Sequence, residues 1–228
     1  MPNPHNPDSA EREFIMADKL YFDIETGPRA DVLANPSAWY KPDARLKDPE
    51  KISADLAAKA EDAALHPTTG EILAIGYASG KGEAWEDLVS SQTMGESECI
   101  GRFLEEAHAM ICKGGRIVGW NSHDFDVPYI IFRARLLGVH VPVSLFSTYR
   151  SKLSFNDAFV DLMLFAQSGR FKSDGFGLDR VAKSLGLGGK IGNGADFHKL
   201  LKTDPTAARQ YLRQDVALTK AIGERMGL

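Results

Sequence analysis

Four carboxylates and one tyrosine, spread along most of the chain, constrain its fold more than any other feature. Asp23 and Glu25 sit in Tyr21-Phe22-Asp23-Ile24-Glu25-Thr26, Asp126 closes Asn121-Ser122-His123-Asp124-Phe125-Asp126, and Tyr211 lies four residues before Asp215. Alternate residues of a strand share a face, so Asp23 and Glu25 project together from the end of a strand whose Phe22 and Ile24 face the core. Two such carboxylates side by side are unfavourable without a cation. Tyr211 and Asp215, four apart, share one face of a helix. A fold that converges the four acids must therefore neutralise them. Hard divalent cations such as Mg²⁺ or Mn²⁺ accept oxygen donors, and paired ions of this kind carry out phosphodiester hydrolysis.

Each element also admits a plainer reading. An Asp-x-Glu triplet arises about once by chance in a chain of this length. Asp126 is equally a helix N-cap, and Asp124 competes with it. Asn121 and Phe125 can contact a substrate, or orient the turn and fill the core. Tyr211 can be a buried residue of an amphipathic helix, or a phenol that holds a water beside a metal-bound carboxylate. Asp161 reads as a loop cap. The six histidines show no metal-ligand spacing, and Gly186-Leu187-Gly188-Gly189-Lys190 lacks the spacing of a phosphate-binding loop.

The elements follow from periodicity and punctuation. Lys19 to Ile24, Gly70 to Ala78 and a third strand around Glu83 to Glu86, after a turn at Gly80 to Gly82, predict an antiparallel meander. Ser97 to Lys113 carries apolar residues at helical spacing before Gly114-Gly115. Arg116 to Trp120 predicts a fourth strand, Val127 to Leu137 a helix, Ala158 to Leu162 a fifth strand, and Leu178 to Leu185 a further helix. Asp204-Pro205 is an N-cap with proline at the first helical position, opening a long helix to about Met226. The succession predicts an α/β, RNase H-like fold: a mixed five-stranded sheet, antiparallel meander then parallel strands, flanked by helices. Residues 1–16 are polar and proline-containing and read as a disordered leader. Residues 17–228 then form a single domain with an insertion at about 27–69, which, with a helix over Pro49 to Leu65, reads as decoration ahead of a lid or substrate guide.

Charge bears on the partner. The net charge is −4, but residues 127–213 hold 13 Lys and Arg against 6 Asp and no Glu, a local net of +7. Arg133/Arg135, Arg150/Lys152 and Arg170/Lys172 lie there beside Phe132, Tyr149, Phe155 and Phe171, a mixture that suits a nucleic-acid backbone and stacked bases, although folding can scatter it. No apolar run approaches the ~20 residues of a membrane span. Two cysteines without metal spacing and no secretory signal fit a reducing cytoplasm.

Taken together, the three segments resemble, in order, the three motifs of the DEDD exonuclease superfamily. Phe22-Asp23-Ile24-Glu25-Thr26 resembles the first, Gly119-Trp120-Asn121 through Phe125-Asp126 the second, and Tyr211-x-x-x-Asp215 the third in its tyrosine, or DEDDy, form. Gly177-Leu178-Asp179, Leu185-Gly186-Leu187 and Lys190 also resemble stand-alone relatives of the family-B polymerase proofreading domain. The likeness spans roughly Lys19 to Met226 without the insertion. It implies a 3′–5′ exonuclease that uses two Mg²⁺ or Mn²⁺ ions and releases nucleoside 5′-monophosphates, with single-stranded DNA 3′ ends as the favoured partner. It implies that Asp23 bridges both ions, Glu25 and Asp215 complete the first, Asp126 holds the second largely through water, and Tyr211 orients the attacking water. Thr26, Asn121, Phe125, Arg150, Lys152 and Lys190 are the expected substrate contacts. An RNA-trimming exonuclease and a non-catalytic nucleic-acid-binding module are the alternatives.

Overall fold

A computed structural model of the chain describes residues 18–79, 85–89, 94–142, 145, 158–168, 175–192 and 194–228. Strands β1 (Lys19–Pro28), β2 (Gly70–Ser79) and β3 (Trp85–Val89) form an antiparallel meander, and β4 (Arg116–Gly119) and β5 (Phe159–Asp161) extend it in parallel. The order β3-β2-β1-β4-β5 gives the mixed five-stranded α/β sheet expected of an RNase H-like fold. β3 lies a little later than the strand expected near Glu83, and the turn expected at Gly80 to Gly82 lies outside the described residues.

Period-two alternation in β1 decides what covers each face of the sheet. Leu20, Phe22 and Ile24 are buried against helices α3 (Glu96–Cys112) and α4 (Asp126–Leu136), through Phe103, Ala107, Val127 and Ile130. Tyr21 faces the opposite layer, where α6 (Leu178–Ser184) and α8 (Pro205–Arg225) contribute Val181, Val216 and Ile222. Burying each such large apolar side chain contributes about 1.5–3 kcal/mol. The expected opening of α8 is present: Pro205 sits in its first turn and the Asp204 side chain accepts the Ala207 N–H at 3.0 Å. Two short helices, α5 (Leu162–Ala166) and α7 (Phe197–Thr203), were not expected from the sequence.

Between β1 and β2 lie α1 (Ala30–Ala34), α2 (Pro49–Glu61) and two 3₁₀ turns, Pro36–Ala38 and Asp62–Leu65. The helix expected to reach Leu65 thus ends at Glu61 and tightens into the second 3₁₀ turn. Val32, Ala60 and Ala63 form a small core of their own, with Leu33 and Tyr40 packed against it.

Three details of the sheet place the acids. β1 does not stop at Ile24 but runs to Pro28, so Asp23 and Glu25 lie within the strand, not at its end. β2 follows β1 from Leu20 to Pro28, with an irregularity between Glu25 and Thr26, whereas β4 pairs only with Lys19 to Tyr21. Past Tyr21 the Ile24 N–H donates to Asp126 Oδ1 at 3.2 Å, so a side chain from α4 takes the place of a ladder partner. On β2, Gly76 stands opposite Asp23, and a Cβ there would lie 2.7 Å from Leu212 Cγ. The missing side chain lets α8 lie close to the sheet, which brings Tyr211 and Asp215 beside β1. Among the described residues no helix is long and apolar enough to cross a membrane.

Candidate active site

Over the second half of β1 opens a cavity of about 650 Å³, lined by Asp23 to Thr26 from β1, Asn121, Phe125 and Asp126 from the turn into α4, Lys190 and Gly194 from the loop after α6, and Tyr211 from α8. Asp23, Glu25 and Asp215 each offer a carboxylate oxygen, and these atoms lie within 4.8 Å of one another. Asp215 is 1% exposed, and its Oδ1 has no hydrogen-bond partner in the protein. A donor set made only of oxygens, with one buried and unpartnered, fits a hard divalent cation. Asp126 lines the same cavity and is close enough for its charge to act on Asp23.

One protein cation already stands at this cluster. Lys190 Nζ forms an ion pair with Asp215 Oδ2 at 2.5 Å and lies 5.1 Å from the centroid of the Tyr211 ring. The peptide unit that leads into the lysine is tied down at both of its polar groups: the Lys190 N–H donates to Asp179 Oδ1 at 2.9 Å, and Gln214 Nε2 donates to the Gly189 carbonyl at 2.9 Å. At Gly194 the backbone passes so near that a Cβ would stand 3.5 Å from the Tyr211 hydroxyl and 3.6 Å from Glu25 Oε2. The described residues of the glycine-rich segment therefore lie against the acids, although it lacks the spacing of a phosphate loop.

Electrostatics follow the geometry. Burial, then the charges of Asp126 and Asp215, push the Asp23 carboxyl well above the usual range. Burial, then Asp23 and Asp215, do the same to Glu25. Burial raises Asp126 to about 7, against the lowering effect of the Ile24 N–H. Asp215 is raised by burial despite Lys190. Burial disfavours the Lys190 charge, but Asp215 outweighs it and the ammonium is held more firmly than usual. The Tyr211 phenol is raised by burial and then by Glu25, so it keeps its proton at neutral pH.

These shifts give a signed expectation for pH. A carboxyl whose pKa is raised on folding binds more protons in the folded state than in the unfolded one, so its contribution to stability is present below the unfolded value and lost as pH rises through the folded value. For Asp126 that window runs from 3.8 to about 7, and Asp23 and Glu25 act in the same direction. In chelator, the melting temperature should fall across this window, and added Mn²⁺ should reverse much of the fall at its upper end. A melting temperature that rises with pH in chelator would contradict the convergence of the acids.

Of the expected site residues, Asp23, Glu25, Asp126 and Tyr211 come together at the cavity, with Thr26, Asn121, Phe125 and Lys190 also in its lining, and Asp215 joins Asp23 and Glu25 in the acid cluster. Asp124, the competitor of Asp126, is exposed. Asn121 has φ of +57°, a left-handed turn that asparagine tolerates, so it shapes the approach to Asp126 as well as lining the cavity. Asp161 is the cap it was expected to be: it accepts the Met163 N–H at the start of α5 and the N–H groups of Asn121 and His123, fixing that same turn. Arg150 and Lys152, like Arg170 and Lys172, lie outside the described residues.

Arg133 corrects the basic-surface reading. It is 4% exposed and bonded through Nε and Nη2 to Glu96, at 2.8 and 2.5 Å, so it is a core ion pair and not a contact for phosphate. The cavity also has a lining that sequence reasoning missed: Ala64 and Leu65 from the second 3₁₀ turn, and Trp120, Met163 and Leu178 from the opposite layer. Their apolar character gave them the look of ordinary core. Only the polar ends of the motifs carried a local signal.

The family model described as "Predicted 3'-5' exonuclease related to the exonuclease domain of PolB" matches residues 71–222, about two thirds of the chain. That span contains Asp126, Lys190, Tyr211 and Asp215, whereas Asp23 and Glu25 lie before it. No curated protein sequence matches the chain. Among solved structures, a family B DNA polymerase from the hyperthermophilic archaeon Pyrobaculum calidifontis is similar at a TM-score of 0.59 and 21% identity. The similarity covers 92% of this chain and 24% of the polymerase, and at that identity it speaks to the fold alone. With two thirds of its length matched to the family, the chain belongs to the predicted 3′–5′ exonucleases related to the exonuclease domain of PolB.

Proposed function

We propose that the protein is a divalent-metal-dependent 3′–5′ exonuclease that removes nucleoside 5′-monophosphates from single-stranded DNA. The observation that carries this reading is the convergence of Asp23, Glu25 and Asp215 within 4.8 Å. On this reading those three carboxylates and Asp126 hold two ions, Mg²⁺ or Mn²⁺. Such ions, when bound, make a hydroxide available near neutral pH and stabilise charge on the reacting phosphate.

The chain's own residues supply the rest. The Tyr211 hydroxyl keeps its proton and orients the attacking water by hydrogen bonding. Lys190 keeps its positive charge at the edge of the acids and can turn toward a phosphate oxygen. Phe125 and Asn121 line the route of the terminal nucleotide, and Thr26 lies at its edge. The cavity's volume is in the range of about 300–1,000 Å³ common for small-molecule sites, which favours a terminal nucleotide freed from its partner strand. DNA is favoured because the family is related to a DNA polymerase domain.

Matched DNA and RNA oligonucleotides, labelled at the 3′ or the 5′ end and incubated with Mn²⁺, test this reading. The 3′ label should appear at once as mononucleotide, the 5′ label should shorten stepwise, and EDTA should stop both. Internal cleavage, release from the 5′ end or activity in EDTA would refute it. Faster trimming of RNA than of DNA would replace the substrate and leave the mechanism.

A further inference from the structure

Asp179 has the setting of an ordinary surface residue on a short helix. It lies in the first turn of α6, where a carboxylate is favoured, and its Oδ2 pairs with Lys183 one turn on at 2.7 Å. Pairs of that kind are common and weak, and the Lys183 side chain is 63% exposed. The other oxygen reaches further. Oδ1 accepts the N–H of Lys190, eleven residues away and outside the helix, at 2.9 Å.

The surroundings make that bond specific. A Cβ on Gly189 would stand 2.6 Å from Asp179 Oδ1 and 2.5 Å from Lys183 Cε, so a side chain there would push both aside. The carbonyl of the same peptide unit accepts from Gln214 Nε2, so the unit is held between α6 and α8. The chain reaches it through Gly186 and Gly188, with φ of +72° and +87°, and leaves it at Ile191, which is 60% exposed. From this unit the Lys190 side chain crosses the Tyr211 ring to Asp215. A flexible four-carbon stem delivers its ammonium to one place only when its Cα is fixed. Of the two holds, Asp179 is the one that acts on the lysine's own N–H.

We propose that Asp179 is a positioning residue for the reaction. By fixing the Lys190 main chain it sets where the Lys190 ammonium stands over Tyr211 and Asp215. The inference rests on the exonuclease reading, in which that ammonium turns toward a substrate phosphate. It gives a further carboxylate of the cavity lining a task other than holding metal, since both of its oxygens already have partners.

The test compares Asp179→Ala, Asp179→Asn and Lys183→Met, each with and without Lys190→Met, for kcat and KM on single-stranded DNA in Mn²⁺. Asp179→Ala should lower kcat roughly tenfold, as for loss of one charge-assisted contact, with a smaller change in KM. Asp179→Asn keeps an acceptor for the Lys190 N–H and should stay within about threefold of wild type, as should Lys183→Met. In the Lys190→Met background, Asp179→Ala should lower kcat no further.

A second readout needs neither metal nor turnover: acetylation of amines in the metal-free protein, followed at Lys190 against the exposed Lys202 by peptide mass spectrometry. Asp179→Ala should raise the relative labelling of Lys190 several-fold, and Asp179→Asn should not. Gln214→Ala releases the other polar group of the same peptide unit, so it should act in the same direction and replaces Asp179→Ala if that variant folds poorly. Losses that multiply in the double variant, an Asp179→Ala protein indistinguishable from Lys183→Met, or unchanged Lys190 labelling would each overturn the proposal. If the wild type released no nucleotide, the exonuclease reading would fail. The labelling would still decide what Asp179 does to Lys190: a rise in Asp179→Ala supports the placement, and equal labelling overturns it.

Discussion

Asp23→Asn is expected to lower nucleotide release by at least about 10³-fold while raising the melting temperature of the metal-free protein. The loss follows if metal-bound charge supplies several kcal/mol to the transition state, since each 1.36 kcal/mol is worth about tenfold in rate. The gain follows from the acids themselves. Asp23 is half-buried, and desolvation, followed by the charges of Asp126 and Asp215, pushes its pKa up, so its charge is a cost to the empty fold. An amide of the same shape removes that repulsion. Activity assays and thermal unfolding in EDTA check the two halves together. A variant that loses activity and stability in parallel would point to misfolding, and one that keeps activity would remove Asp23 from the chemistry. A group whose removal stabilises the fold and abolishes its activity is there for function.

The largest expected effect on stability lies away from the cavity, at Arg133. Arg133→Met should cost about 3 kcal/mol, at the low end for breaking a buried ion pair because Glu96 keeps one partner in the Ile72 N–H at 2.8 Å. For a chain of this size that is a fall of roughly 6–12 °C in melting temperature. The double change Arg133→Met with Glu96→Gln should be less damaging than the single one, because no buried charge is left unpaired. The salt dependence of DNA binding should not change, since the guanidinium faces Glu96 and the Pro67 carbonyl and no phosphate. A reduced salt slope with unchanged stability would restore Arg133 to the binding surface.

Arg133 also shows where reading the sequence stops. Its pairing with Glu96, 37 residues earlier, is a contact between α4 and the start of α3, and nothing near Arg133 in sequence distinguishes it from a surface arginine. Lys190 was recognisable as a candidate contact, but its position on Asp215 depends on how the loop after α6 folds back over α8. Leu65 was hidden for the same reason, since the turn that aims it is fixed by Tyr129, 65 residues away from the carbonyl it holds.

What was legible has local causes. The strands of the meander and the helix faces are periodic, Asp204-Pro205 marks a helix start by its own chemistry, and Asp161 caps the chain around it. Tyr211 and Asp215 were assignable to one helix face by spacing alone. The end of β1 was misplaced because strand length depends on β2, which pairs with it as far as Pro28. Residues Asp23 and Glu25 accordingly needed the structure to show what lies beside them, and Ile24 to show why Asp126 does.

Calorimetric titration of the metal-free protein with Mn²⁺ tests the central claim most directly, because it asks about the acid cluster without asking about turnover. Wild type should bind two ions, and Asp23→Asn should lose the tighter of them or weaken both by at least about tenfold, as expected when one shared charged ligand is removed. Failure of the wild-type protein to bind Mn²⁺, or an isotherm for Asp23→Asn that overlays the wild type, would contradict the assignment of Asp23, Glu25, Asp126 and Asp215 as the metal centre.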